Sequence, residues 1–201
     1  MGTSQSLNLR GSLAYNSQGM TQYIIFIADV QKEQVAKLRQ AITDAVNSGA
    51  TDIYLVISSG GGLVVEGLAI AALLKGLSIE VTTHNIGQTD SVANVIFASG
   101  KKRYANKNAS FLFHGVNQPI NNANLSETQL LELYKGTVRL REMIALNFSS
   151  YTGIPLTDVT SLMVDGANIL SASDALSKTV IHELKELNIP NGSQIVTIGN
   201  A

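Results

Sequence analysis

Two short runs of β-branched and aromatic residues, Tyr23-Ile-Ile-Phe-Ile27 and Asp52-Ile-Tyr-Leu-Val-Ile57, constrain this chain more than any other feature. Each is a continuous apolar stretch of strand length, the pattern of a buried strand. Between them Val35, Leu38, Ile42, Ala45 and Val46 recur at helical spacing, and Ser48-Gly49 closes that segment. The alternation continues. Leu63 to Leu74 reads as a helix, 78–83 as a third strand with Gly87 at a turn, and 91–99 as a short apolar helix closed by Gly100. Residues 103–105 and 110–113 read as further strands. Strands alternating with helices predict βαβ units with right-handed crossovers, hence one α/β domain.

Beyond a polar, Asn-rich loop at 115–125, the longest helix opens near Ser126 and runs to about Phe148, with Asn124, Leu125 or Ser126 as its cap. Leu130, Tyr134, Val138 and Ile144 line one of its faces. Gly153-Ile-Pro155 breaks it, and short helices follow at 157–163 and 171–178. The expected organisation is a flexible N-terminal arm over 1–19, carrying Leu7, Leu9 and Leu13, a single domain over 20–190, and a loose tail over 191–201.

The chain has 201 residues, enough for one domain with a substantial core. Charged residues make up 14%, well below the roughly one quarter of ordinary soluble domains. That shortage fits either a large core or a surface covered by copies of the same chain. A net charge of −1 and the lack of a dense Lys/Arg patch argue against a nucleic-acid partner. Without cysteine, disulfides, thiolate metal sites and cysteine nucleophiles are excluded. No His-x-x-x-His or Glu-x-x-His spacing favours a metal. The N-terminal residues lack a signal-peptide core, and no apolar stretch reaches the roughly 18 residues of a membrane span. A soluble cytoplasmic protein, with no cofactor, is the expectation.

Three segments carry chemistry. Ser58-Ser-Gly-Gly-Gly62 follows a strand and precedes a helix. Such a loop exposes N–H groups to a phosphate or to the oxyanion of a tetrahedral intermediate, though a tight strand–helix turn also accounts for it. It matches neither a P-loop nor GxGxxG. In Asn85-Ile-Gly-Gln-Thr-Asp-Ser91, a glycine-containing segment delivers a serine to the start of an apolar helix. Ser91 is there either an N-cap or a nucleophile beside free N–H groups. Phe111-Leu-Phe-His114-Gly115 ends an apolar strand on a histidine, the common general base near neutral pH, while His84 and His182 lie at other strand-end or late positions. Together, a glycine loop, a helix-starting serine and a strand-ending histidine are the parts of an acyl-transfer site.

These residues, in this order, resemble the proteolytic subunit of the Clp protease (ClpP) family over about Tyr23 to Glu186. Ile53 to Gly67 resembles its strand, glycine loop and helix, and Gly87 to Gly100 its Gly-x-x-x-Ser nucleophile segment. Lys101 to His114 resembles its basic link to the catalytic histidine, and Leu170-Ser-Ala-Ser-Asp-Ala175 its late Leu-Ser-Ala-x-Glu-Ala stretch. The resemblance implies a ClpP/crotonase-like spiral of ββα units with a long protruding helix. It implies Ser91 as nucleophile, His114 as base, and the N–H groups of Gly62 and Val92 as oxyanion hole. It further implies homo-oligomeric rings, commonly two stacked heptamers, acting on peptides or unfolded proteins, with an AAA+ unfoldase ATPase as possible partner.

The chain departs from that pattern in three places. Gly60 stands where the family has Pro, and Asp90 stands where a small residue precedes the nucleophile. Asp90 reads as a helix N-cap; pointing inward, it would oppose an anionic intermediate. The family's acid falls, without a gap, on Ala167. Asp165 and Asn168 are the near candidates, and Asp165 is taken as the acid because Asn orients an imidazole without stabilising imidazolium. Two other functions remain open at this point: a catalytically inactive ring subunit, and a crotonase-type acyl-CoA enzyme that uses the glycine loop to polarise a thioester.

Overall fold

The computed structural model describes residues 19–117, 119, 124–164 and 166–200. The first apolar run forms β1 (Thr21–Ile27) and the second β2 (Asp52–Ser59), joined by α1 (Lys32–Asn47). The strands pair in parallel with Tyr23 opposite Tyr54. Helix α1 buries Val35, Leu38, Ala41, Ile42 and Ala45, the stripe its spacing predicts. After the glycine loop come α2 (Val64–Gly76), β3 (Glu80–Asp90), α3 (Ala93–Ala98), β4 (Lys102–Ala105) and β5 (Ser110–Phe113). The rest is α4 (Glu127–Thr152), α5 (Leu156–Val164), β6 (Asn168–Ser171), α6 (Ala172–Ser177), β7 (Glu183–Leu184) and β8 (Gln194–Gly199).

Among the described residues the main strand order is β6-β5-β3-β2-β1-β8, with β4 pairing β3 and β7 beside that path. The pairs are parallel except β5 with β6. The helices bury the core face, where Ile24, Phe26, Ile53, Leu55, Ile57, Phe97, Phe111 and Phe148 are closed to solvent. Each such side chain contributes about 1.5–3 kcal/mol by leaving water. The rings of Phe97 and Phe111 meet edge-on at 5.1 Å, packing α3 against β5 beneath the strand ends that carry Ser91 and His114. No helix among the described residues is long and apolar enough to cross a membrane.

Three elements differ from the sequence expectation. Strand β3 is 11 residues long, and Gly87 lies inside it rather than at a turn. Its first half pairs with β4 and its second half with β5. A Cβ at Gly87 would sit 2.9 Å from Ser58 Oγ, so glycine serves a close approach where the β2–β3 register shifts. Residues 194–199 are not loose: β8 lies parallel to β1, Gln22 facing Gln194, with Ile198 buried. Finally, the face of α4 predicted as apolar is covered at Ile144, whereas Leu130, Leu131 and Tyr134 stand exposed. Ser126 caps this helix through a capping box with Gln129, and Gly153 ends it in the left-handed conformation.

Candidate active site

Ser59 ends β2, and the three glycines turn the chain toward α2. Gly61 has φ +82° and a Cβ there would lie 2.6 Å from the Asp90 carbonyl oxygen. Gly62 has φ +142° and a Cβ there would lie 2.5 Å from the Val30 carbonyl oxygen. Neither position accepts a side chain. Val30 donates its N–H to the Gly61 carbonyl at 2.7 Å, and Leu63 donates to the Val30 carbonyl at 2.8 Å, which fixes the loop against the β1–α1 connection. Between these two bonds the Gly62 N–H finds no acceptor among the described residues, and neither does that of Val92. Two such free donors flanking a serine can receive developing negative charge.

Ser91 follows β3 directly and has φ +55°, a left-handed conformation for a residue with a Cβ. Such backbone strain concentrates at functional sites. Its N–H donates to the Leu112 carbonyl at 2.9 Å. The same carbonyl accepts Asn94 Nδ2 at 2.8 Å, while the Thr89 hydroxyl donates to Asn94 Oδ1 at 2.8 Å. These bonds clamp the turn between β3 and α3 onto β5. The N-cap readings of Ser91 and Asp90 do not hold, because Val92 caps α3 without a side-chain bond and Asp90 ends β3. Gln88 Nε2 donates to Asp90 Oδ2 at 3.1 Å. Burial raises the Asp90 pKa, and the Leu112 N–H and the charge of His114 pull it back down.

His114 leaves β5 half-buried, and its Nδ1 donates to the Gly115 carbonyl at 2.5 Å. With the proton on Nδ1, the Nε2 lone pair is available. No hydrogen bond joins His114 to Ser91 among the described residues, but both line one recess of about 350 Å³ with Gly60, Gly62, Val64, Val116 and Asn117. A larger recess of about 530 Å³, around Pro155, Asp158 and Lys178, shares none of these residues and contains no histidine.

The candidate acids stand differently. Asp165 lies outside the described residues. Asn168 pairs with Phe113 in the antiparallel β5–β6 ladder, so it shares the side of Phe113 rather than that of His114. Its Nδ2 donates to the Leu162 carbonyl at 2.9 Å. The ladder ends at that pair, and His114 and Ala167 lie just beyond it. The other histidines are structural: buried His84 turns Nδ1 to the Tyr54 hydroxyl and Nε2 to Asn106 Oδ1 and the Lys185 carbonyl, each at 2.8 Å. His182 Nδ1 accepts the Arg103 N–H at 3.2 Å. The described residues hold no group of three or more His, Asp or Glu arranged for a metal.

Sequence reasoning missed Asn94, Thr89 and the role of Gly61. A signal existed for Asn94, a polar residue inside an otherwise apolar helix. Gly61 was legible only as one glycine of three.

Comparison with known proteins accords with this geometry. Residues 10–187 match the model of the Clp protease family. Among solved structures, the chain is similar to the ClpP protease catalytic domain from Plasmodium falciparum, at 25% identity and a TM-score of 0.68, over 84% of this chain and 88% of that one. The mixed sheet and helices fit the ClpP/crotonase-like fold. A match over that span establishes the relationship: the chain belongs to the Clp protease family.

Proposed function

We propose that this chain is a serine endopeptidase of the ClpP type. Ser91 Oγ attacks a peptide carbonyl while His114 Nε2 takes its proton. The oxyanion rests on the N–H groups of Gly62 and Val92. His114 then gives the proton to the departing amine, leaving an acyl-enzyme that water hydrolyses by the reverse sequence. Asp165 is one candidate for the acid and Asp90 the other, and no cofactor enters the cycle. The observation that carries this reading is the pair of unpaired N–H groups beside a strained serine, in a recess that Ser91, Gly62 and His114 share.

The same proposal includes assembly. Low charge and the exposed Leu130, Leu131 and Tyr134 support rings of copies, commonly two stacked heptamers, enclosing the active sites. Such a chamber admits peptides and unfolded chains, and an AAA+ unfoldase ATPase would supply folded substrates. A cytoplasmic setting belongs to this reading too. The test is cleavage of short fluorogenic peptides and of an unfolded protein. Cleavage by the wild type and none by Ser91→Ala is expected; equal cleavage by both overturns the proposal.

Ala167, where the family's acid falls without a gap, favours a second reading, a ring subunit with an incomplete triad that relies on an active paralogue. Ser91-dependent cleavage by the purified chain alone rejects it.

A further inference from the structure

We propose that Asp90 is a positioning residue for His114: the Gly115 carbonyl fixes the tautomer, the Asp90 carboxylate supplies the negative charge that faces the imidazolium, and the two duties of a triad acid are divided between them. This inference rests on the reading of Ser91 and His114 as nucleophile and base.

The geometry begins with the β3–β5 ladder. Asp90 pairs with Leu112 in parallel register. Side chains alternate along a strand, so Asp90 and Leu112 share a side, and His114 lies two residues beyond Leu112, just past the end of β5. An offset of two residues between adjacent strands is about 8 Å, comparable to the Debye length of about 8 Å at physiological salt. Asp90 is held there rather than free to swing away. Gln88 Nε2 grips one carboxylate oxygen at 3.1 Å, and the Leu112 N–H also interacts with the group. The positive charge of His114 is one of the influences that favour ionised Asp90.

The Gly115 carbonyl performs only half of a triad acid's work. It accepts Nδ1–H and so presents Nε2 to the serine. A neutral carbonyl does not offset the charge that appears when His114 takes the Ser91 proton. On the β6 side, Ala167 lies just beyond the last ladder pair and carries no charge, and Asn168 turns to Leu162. Ile169 follows on that strand without charge. Lys32 and Glu66 line the adjoining recess with Gly62, Val64 and Asn117. Asp90 is the carboxylate that the strand ladder brings to the imidazole's side.

The test on the full chain is the rate of fluorophosphonate labelling at Ser91 in the wild type, Asp90→Asn, Asp90→Glu and Asp165→Asn. The rate is expected to fall about tenfold in Asp90→Asn, to recover in Asp90→Glu and to hold in Asp165→Asn. Recovery with the other carboxylate is what a merely structural role of Asp90 would not give. With the wild type labelled, an unchanged rate in Asp90→Asn overturns the proposal, and so does a fall that Asp90→Glu does not reverse. If the wild type is not labelled at all, the hydrolase reading fails, and this inference fails with it.

Discussion

Ser91 donates its N–H to the Leu112 carbonyl at 2.9 Å, and this bond ties the Ser91 turn to the strand that runs into His114. Asn94 doubles it by donating to the same oxygen while accepting from Thr89. Asn94 is fully buried. Asn94→Ala removes the partner of the Thr89 hydroxyl and opens a small void. A loss of about 1–3 kcal/mol in unfolding free energy is expected, measured by urea titration. Labelling of Ser91 by a fluorophosphonate should slow as well, because the elbow loses one of its two anchors.

Gly61→Ala and Gly136→Ala should act in opposite directions. At Gly61 the added Cβ meets the Asp90 carbonyl oxygen at 2.6 Å, and φ is +82°. The left-handed conformation alone costs about 1–2 kcal/mol, and the clash displaces the residue before Ser91. Lower stability and a loss of Ser91 reactivity are expected. Gly136 lies inside α4 with nothing within 4 Å of its added Cβ. There alanine should stabilise by about 0.5–1 kcal/mol, read as a higher midpoint in the same urea titration.

His84 makes stability pH-dependent. Burial holds its pKa below the ordinary 6.5, against the opposing pull of the Lys185 and Asn106 hydrogen bonds. Burial pushes the Tyr54 hydroxyl up to about 12, so it stays protonated and can donate to Nδ1. As pH drops through 6.5, the unfolded chain binds a proton that the folded chain refuses. Stability is therefore full above that value and declines below it until the folded value is reached. His182, depressed by burial and by Arg103, contributes in the same direction. The urea midpoint should fall between about pH 7 and pH 5.5, and His84→Gln should flatten that fall.

The parts of the site that a local pattern specifies were legible in the sequence. Apolar runs marked β1, β2 and β5, and Ser126 and Gly153 marked the ends of α4. Ser91, His114 and the glycine loop, which line one recess, stood out because each interrupts a regular element with an unusual residue. What local pattern does not carry is pairing at a distance. Strand β8 went unread because Gln194 meets Gln22 across 172 positions of sequence. The length of β3 was hidden by Gly87, which signals a turn until Ser58 is seen pressing on it. Asp90 was read as a cap because its strand partner Leu112 is set by register, not by spacing.

The exposed apolar side chains of α4 should matter to assembly rather than to folding. Leu131 and Tyr134 are 49% and 67% exposed. Leu131→Glu in the proposed ring is expected to shift sedimentation toward smaller species, with a urea midpoint near that of wild type for the dissociated chain. Unchanged sedimentation would separate this helix from the ring contacts.

The most direct measurement is labelling of the native chain by a serine-reactive fluorophosphonate, followed by mass mapping of the adduct. The account predicts one adduct, on Ser91, absent in Ser91→Ala and strongly slowed in His114→Ala. Full labelling of Ser91→Ala, or an adduct on a different serine, would contradict it.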